Sequence, residues 1–258
     1  MEAFRQATKH IHASDVVSLL REVYPEGVRG RNEAEALIAF DREFPDPAPE
    51  WHGFMAEAVT DHLLRRSQPY GVLTAEKAEW LMHAVAPSGR IATRGGIETL
   101  VRTIKLADVL PVSLAAFAIR ELWARAQALD GTDVALLRGI LEAGTGAVTG
   151  EEAEALFDLH DTVAGGANHR SFDDLMFRAI ANFLMGASGC ETLPRVRALA
   201  REPGRDAGKN IAAEHCAWLS SRIMRDGKPT AAEHALLTLI GYRTEPDPSL
   251  RRFFNHAA

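Results

Sequence analysis

The chain repeats itself, which restricts it to folds that use one kind of structural unit twice. The stretch SDVVSLLREVYPEGVRGRNEAEALIAFD in the first half returns in the second half as TDVALLRGILEAGTGAVTGEEAEALFDLHD. Gly27 corresponds to Gly146 and Glu33 to Glu152, and both pairs are 119 residues apart. This correspondence predicts an internal duplication, so positions at which the two halves differ are the better places to look for specialised function.

The correspondence continues along the chain through three further blocks. WHGFMAEAVTDHLL aligns without a gap to FDDLMFRAIANFLM, EKAEWL around Trp80 matches EHCAWL around Trp218, and SLAAF matches SLRRF. We therefore predict an N-terminal extension over 1–12, a first half over 13–130 and a second half over 131–258. Whether the halves form one continuous body or two domains stays open, because helical repeats bury their apolar stripes by stacking on neighbours.

Apolar residues recur at spacings of three and four, and sustained alternation is hard to find. The pattern predicts an all-α protein, an internally duplicated helical array with about six helices in each half. Gly131 follows an alanine-rich helix and is predicted to end it in the left-handed conformation. The predicted helices cover 13–24, 32–43, 50–65, 74–86, 93–107 and 112–128 in the first half, and 132–143, 150–163, 170–186, 211–225, 231–241 and 248–256 in the second.

Composition restricts the classes of function. The 258 residues are 47% hydrophobic and 25% charged, which is ordinary for a folded protein. A net charge of -6 gives no basic footprint for nucleic acid, so no nucleic-acid partner is expected. The chain has no apolar run of about 18 residues and no apolar secretory segment at its start, which favours a cytoplasmic protein without a membrane partner. No HExxH, nucleophile elbow or phosphate-binding glycine loop is present, so neither a catalytic residue nor a cofactor is predicted.

Three of the four glycine turns place a Glu six residues after the Gly, at Gly27, Gly146 and Gly227. This outline resembles the EF-hand, which implies calcium held by oxygen ligands at loop positions one, three, five and twelve. The first turn offers Glu22, Tyr24, Glu26 and Glu33 there, with Pro25 inside the loop. The first three of these positions are Leu141, Ala143 and Thr145 in the third turn and Arg222, Met224 and Asp226 in the fourth, which do not suit calcium. Capping boxes explain the glutamates more simply, because Thr149 and Thr230 each precede one by three residues.

The segment DGKPTAAEHALLTLI resembles the helical repeat of the TerB-like tellurite-resistance family through Asp226, Gly227 and Glu233. That resemblance implies duplicated helix pairs and an association of acidic residues with divalent metal. The blocks EEAEALFDLHD, FDDLMFRAIANFLM and AAEHCAWL are similar to a group of duplicated all-helical bacterial proteins, and this similarity implies no activity.

Two regions of the second half differ from the first. Glu154, Asp158 and Asp161 are three and four residues apart, so they share one face of a helix and are candidate metal ligands. The competing interpretation is a solvated helix face. An insertion of 17 residues within about 186–210 is predicted to form a short helix over 193–201. Its basic residues are candidates for binding an acidic partner, while a tolerated surface loop is the competing interpretation: Arg195, Arg197, Arg201, Arg205 and Lys209.

The sequence therefore favours a non-enzymatic helical scaffold or regulatory protein that binds another protein. The alternative is a divalent-metal-binding stress-response protein of the TerB-like type. The sequence identifies neither the partner nor the oligomeric state.

Overall fold

The structure, a computed structural model, describes residues 10–44, 47–204, 207–225 and 229–241. Within these ranges the chain forms twelve α-helices and no strand, which confirms the all-α prediction. The chain divides into two compact units, Met1–Leu122 (unit 1) and Trp123–Ala258 (unit 2). The predicted boundary at residue 130 therefore lies inside unit 2. The predicted helix over 248–256 and most of the predicted extension over 1–12 lie outside the described residues.

Unit 1 contains six of the helices, and their bounds lie close to the predicted ones. Two of them, the first and the third, continue into a π-helical turn. The helices are α1 (Ala13–Ser18, continued by Leu19–Val23), α2 (Arg31–Glu43), α3 (Pro49–Asp61, continued by His62–Arg66), α4 (Ala75–Val85), α5 (Arg94–Leu106) and α6 (Val112–Leu122).

Unit 2 contains the other six described helices. The short helix predicted in the insertion is among them, and a 3₁₀ turn follows it. The helices are α7 (Gly131–Glu142), α8 (Gly150–Thr162), α9 (Ser171–Ala187), α10 (Arg195–Ala200), α11 (Ala213–Ile223) and α12 (Ala231–Gly241), with the 3₁₀ turn at Ala207–Asn210.

The connection between α6 and α7 differs from its prediction. Helix α6 ends at Leu122, six residues early, because Trp123 turns towards α7, where its Nε1 donates to Asp133 Oδ1 at 3.0 Å. Gly131 does not end a helix in the left-handed conformation; it begins α7 and its φ is not positive. The physical reason is Asp130, whose carboxylate accepts the exposed N–H groups of Thr132 and Asp133 at 2.7 and 2.9 Å.

Capping boxes begin α8 and α12 of unit 2, as the sequence predicts. At the start of α8, Glu152 Oε2 accepts from the N–H of Thr149 at 2.9 Å, and the Thr149 hydroxyl accepts from the N–H of Glu152 at 3.4 Å. Thr230 and Glu233 make the same pair of bonds before α12, at 2.7 and 3.4 Å. These glutamates therefore satisfy exposed backbone donors at helix starts.

The core of unit 1 centres on Trp51 of α3, whose side chain is fully buried. The ring lies 5.2 Å from that of Phe40, and Nε1 donates to the buried Asp41 at 2.7 Å. Helix α5 comes so close to Asp41 that a Cβ on Gly95 would lie only 2.6 Å from a carboxylate oxygen. Glycine therefore allows α2 and α5 to pack in contact.

The core of unit 2 is built on α8 and α9. Phe157, Phe172 and Met176 are buried, and Phe183 meets Trp218 edge-on at 4.8 Å between ring centroids. The buried Asn182 accepts from the N–H of Val148 at 2.8 Å, which ties the turn before α8 to α9. This turn carries the residues that hold the insertion.

Candidate protein-binding surfaces

The three carboxylates predicted to bind a metal face two arginines, Arg222 of α11 and Arg225 just after that helix ends. Glu154 Oε1 accepts from Nη2 of Arg222 at 2.6 Å and also from Nε1 of Trp218 at 2.7 Å. Arg225 lies between the other two carboxylates, 2.7 Å from Asp161 and 3.0 Å from Asp158.

These contacts give the acidic face an internal role. Opposite charges across α8 and α11 balance each other, so Glu154, Asp158 and Asp161 take part in ion pairs in place of the predicted metal site. Among the residues that the structure describes, no group of three or more His, Cys, Asp or Glu side chains is placed to hold a metal ion.

Arg195, the first basic residue of the insertion, lies inside unit 2. The residue is 3% exposed, and its two terminal nitrogens meet the two oxygens of fully buried Glu152 at 2.7 and 3.1 Å. The guanidinium also donates to the carbonyl of Leu141 in the last turn of α7 at 2.9 Å, and to three carbonyls of the turn between α7 and α8: Thr145 at 3.3 Å, Gly146 at 3.2 Å and Ala147 at 2.6 Å.

This geometry corrects the prediction that Arg195 contributes to an exposed basic surface. The planar guanidinium satisfies a buried carboxylate and a set of turn carbonyls together, which is a task that suits arginine. Any Cβ on Gly144 would overlap Arg195 Nη1, so the glycine makes room for it. Sequence reasoning missed this role because Glu152 and Arg195 are 43 residues apart.

The far end of α10 is held as well. Arg138 of α7 donates to the carbonyl of Leu199 at 2.9 Å, and Arg178 of α9 donates to the same carbonyl at 3.3 Å. Cations at the carbonyl end of a helix interact favourably with its exposed acceptors. The insertion is therefore packed onto α7 and α9 at both ends of α10.

The outer side of the insertion combines apolar and basic residues. Leu193 and Val196 are 50% and 55% exposed, and Arg197 and Arg201 are exposed beside them. Lys209 in the following 3₁₀ turn is exposed too, whereas Arg205 lies outside the described residues. Three of the five predicted basic residues, Arg197, Arg201 and Lys209, are therefore exposed at described positions.

An open groove with a volume of about 960 Å³ lies between α1 and α3 of unit 1. Its floor is apolar, formed by Val16, Phe54 and Ala58, and the turn Tyr24–Val28 closes one end. Val17 and Leu20 of α1 border it and are each 46% exposed. The sequence carried a signal for this groove, because the start of α1 has more apolar positions than one buried face requires.

The rim of the groove is acidic. Glu26, Glu50, Glu57 and Asp61 surround it, with Arg66 as the one cation among its lining residues. Arg66 is held by Asp61 at 2.9 Å. Buried Tyr24 forms part of the wall, and burial together with the nearby charge of Glu33 raises its pKa to about 12. The phenol therefore stays neutral at physiological pH and adds no charge to the groove. Outside the lining, Glu26 pairs with Arg29 at 2.8 Å and Glu57 with Arg102 at 3.4 Å.

Exposed large apolar side chains concentrate around this part of unit 1. Eight such residues occur in the described part of the chain. Two belong to the insertion, and the other six belong to unit 1: Val17, Leu20, Tyr70, Ile97, Leu106 and Val109. Apolar surface that gathers in one region is characteristic of binding sites.

Comparison of the chain with protein-family models, with curated proteins and with solved structures found no match. None of the described helices has the length and apolar character needed to cross a membrane.

Proposed function

We propose that this chain is a non-enzymatic helical scaffold, formed by internal duplication, that binds another protein through the groove between α1 and α3. The observation that carries the proposal is the groove itself. It is open to solvent, has a volume of about 960 Å³ and is bordered by two half-exposed apolar residues, Val17 and Leu20. A groove of this kind suits the apolar face of a helix, which is a common mode of protein recognition.

Two pairs of corresponding residues support the duplication. Trp80 Nε1 donates to Glu35 Oε1 in unit 1, and Trp218 Nε1 donates to Glu154 Oε1 in unit 2, both at 2.7 Å. Helices α2 and α8 each have 13 residues, and their first and last residues are 119 positions apart, as in the sequence alignment. Equal bonds at aligned positions are the expected remnant of one ancestral unit.

The experiment is site-specific photo-crosslinking in cells. A photo-reactive phenylalanine analogue replaces Val17, and the adduct is identified by mass spectrometry. The matched control places the same analogue at Glu79, an exposed residue of α4 that is not among the groove's lining residues. We expect one defined protein adduct from position 17 that disappears in the Leu20→Asp background. Identical adducts from both positions, or no protein adduct from position 17, would contradict the proposal.

Leu20→Asp is a suitable background because it leaves the fold intact. The side chain is 46% exposed, and substitutions at such positions change stability by about 0.5 kcal/mol or less. Circular dichroism and hydrogen exchange of the variant check this expectation before any crosslinking result is interpreted.

We propose the outer side of the insertion as a second contact for an acidic partner surface. Arg197 and Arg201 are exposed next to Leu193 and Val196, so charge and apolar area occur together there. Replacing Arg197, Arg201 and Lys209 by alanine, with Arg195 retained, should lower the yield of the partner identified by crosslinking. An unchanged yield would remove the insertion from this proposal.

The metal-binding alternative has no comparable support. The described carboxylates that suggested it are paired with Arg222 and Arg225. The scaffold is therefore the single function that we propose.

A further inference from the structure

The groove of unit 1 and the surface of unit 2 on which α10 packs are built from corresponding elements. We call this surface, formed by α7, α9 and the Gly146 turn, the seat of α10. In unit 2, α10 packs on α7 and α9 while Arg195 covers the Gly146 turn. In unit 1, α1, α3 and the Gly27 turn surround the open groove. Unit 1 has no counterpart of α10, because the 17 inserted residues are absent between α3 and α4.

The backbone carbonyls at the end of the groove can accept hydrogen bonds of the kind that Arg195 donates in unit 2. The carbonyls of Thr145, Gly146 and Ala147 accept from Arg195, and the corresponding residues of unit 1 are Glu26, Gly27 and Val28. Among the described residues, no side chain donates to the carbonyls of these three, although the Arg66 guanidinium lies against the turn, 3.1 Å from where a Cβ on Gly27 would stand. Gly27 and Gly146 share the left-handed conformation, with φ of 74° and 69°.

The charges around the groove are more negative than those around α10, although Arg66 stands where unit 2 has Ala187. Three acidic residues of the rim stand where unit 2 has neutral or basic ones. Glu26 corresponds to Thr145, Glu50 to Ser171 and Glu57 to Arg178. Unit 1 therefore attracts positive charge more strongly than the seat of α10 does.

We infer that the groove of unit 1 binds a short amphipathic helix of another protein, with apolar residues on one face and arginine or lysine beside them. Its mode of binding is that of α10 in unit 2, with an arginine donating to the carbonyls of the Gly27 turn. The inference rests on the proposed function and specifies the class of partner. An acidic peptide and a nucleic acid are disfavoured by the rim, since like charges repel.

The insertion provides the probe for a direct test. A fluorescein-labelled peptide of residues 192–202, TLPRVRALARE, is titrated with the full-length chain and followed by fluorescence anisotropy. We expect saturable binding with a Kd below about 1 mM that weakens as salt is raised, because charged contacts contribute. The peptide with Arg195→Glu should bind at least tenfold more weakly.

Variants of the chain locate the binding. Leu20→Asp removes apolar contact at the groove, and Glu50→Lys reverses one rim charge; each should weaken peptide binding at least fivefold. Glu79→Lys makes the same change of charge on α4, away from the groove's lining residues, and should leave the Kd within twofold. Circular dichroism of each variant confirms that the fold is retained.

Three outcomes would overturn the inference. They are the absence of saturable binding, binding that Leu20→Asp does not affect, and a dimer of the chain alone that Leu20→Asp abolishes, since the occupant would then be a second copy. A crosslinked protein from position 17 without peptide binding would leave the proposed function in place and overturn only the assigned partner class. Failure of the crosslinking with successful peptide binding would overturn the proposed protein partner in cells, while the groove's affinity for a basic amphipathic helix would stand.

Discussion

The turn after α1 and the turn after α7 share a left-handed glycine and have different coverings. Each contains a left-handed glycine, and each is followed by a helix with a Glu in its first turn, Glu33 or Glu152. In unit 2, Glu152 is fully buried and paired with Arg195. In unit 1, Glu33 is partly exposed and accepts from the N–H of Arg29 at 2.7 Å. One turn thus serves as an internal packing element in unit 2, while its counterpart borders an open groove.

The largest expected loss of stability follows from removing Arg195, which covers the turn between α7 and α8. Arg195→Met should destabilise unit 2 by about 3–5 kcal/mol, because it leaves a buried carboxylate without its counter-charge. The turn carbonyls lose their donor as well. Hydrogen exchange resolved to peptides of α7, α8 and α10 measures the effect within one unit, which a single melting temperature of a two-unit chain does not.

Two controls sharpen this test. Glu33→Gln changes the corresponding carboxylate of unit 1, which has no arginine partner among the described residues, and should cost about 1 kcal/mol or less. The double variant Glu152→Gln/Arg195→Met should lose clearly less than the sum of its single variants, since removing both charges avoids the unpaired one. A loss below about 1 kcal/mol for Arg195→Met alone would show that the two turns differ less than their contacts suggest.

The sequence predicted the helices better than it predicted this difference between the turns. Helix bounds follow from apolar spacing and local caps, so α2 and α8 begin and end within one residue of their predictions. The inward direction of Arg195 depends on Glu152, 43 residues away, and no local pattern distinguishes it from Arg197. The groove was harder still to predict, because it depends on the absence of a counterpart to α10.

Local chemistry also misled the prediction in two places. The spacing of Glu154, Asp158 and Asp161 placed them on one face correctly, but Arg222 of α11 and Arg225, just after that helix, pair with them. Gly131 was read as a helix end because glycine is common there, whereas the caps of Asp130 make it a helix start.

The next effect in size tests whether the tryptophan–glutamate pairs are equivalent. Trp80→Phe and Trp218→Phe each remove one N–H donor to a carboxylate and should each cost about 1–2 kcal/mol. Circular dichroism during urea unfolding, with hydrogen exchange to assign the unit, measures both. If the two variants lose free energies of unfolding that differ by more than about 1 kcal/mol, the two tryptophan–glutamate pairs are not equivalent, and the proposed duplication loses part of its support.

The Trp80 variant has a further signature in the titration of Glu35. Hydrogen bonds from Trp80 and Arg31 lower the pKa of this carboxyl below 4.5. The lowered pKa contributes stability above pH 4.5 that is lost as pH falls through the folded-state pKa. In Trp80→Phe the pKa should rise towards its usual range, and carboxyl-resolved NMR titration checks the direction. An unchanged pKa would mean that Arg31 alone holds it down.

The smallest expected effect is a difference between the two units in how their stability depends on pH. His62 of unit 1 corresponds to Phe183 of unit 2, and each ring lies edge-on to the tryptophan of its own unit, at 6.4 and 4.8 Å. Burial, and then the positive charge of Lys77, lowers the pKa of His62 below 6.5. Its Nδ1 is buried and has no hydrogen-bond partner among the described residues.

Because the folded-state pKa is the lower one, the unfolded chain takes up a proton first as pH falls. The contribution of His62 to the stability of unit 1 is therefore complete above pH 6.5 and declines as pH falls from there to the folded-state pKa. His62→Phe gives unit 1 the residue of unit 2, so this part of the slope should vanish. Hydrogen exchange of unit 1 between about pH 7 and 5, corrected for the intrinsic exchange rate, measures it. His83→Gln, at an exposed position on α4, should retain the slope, and an unchanged slope in His62→Phe would assign the pH dependence to other groups.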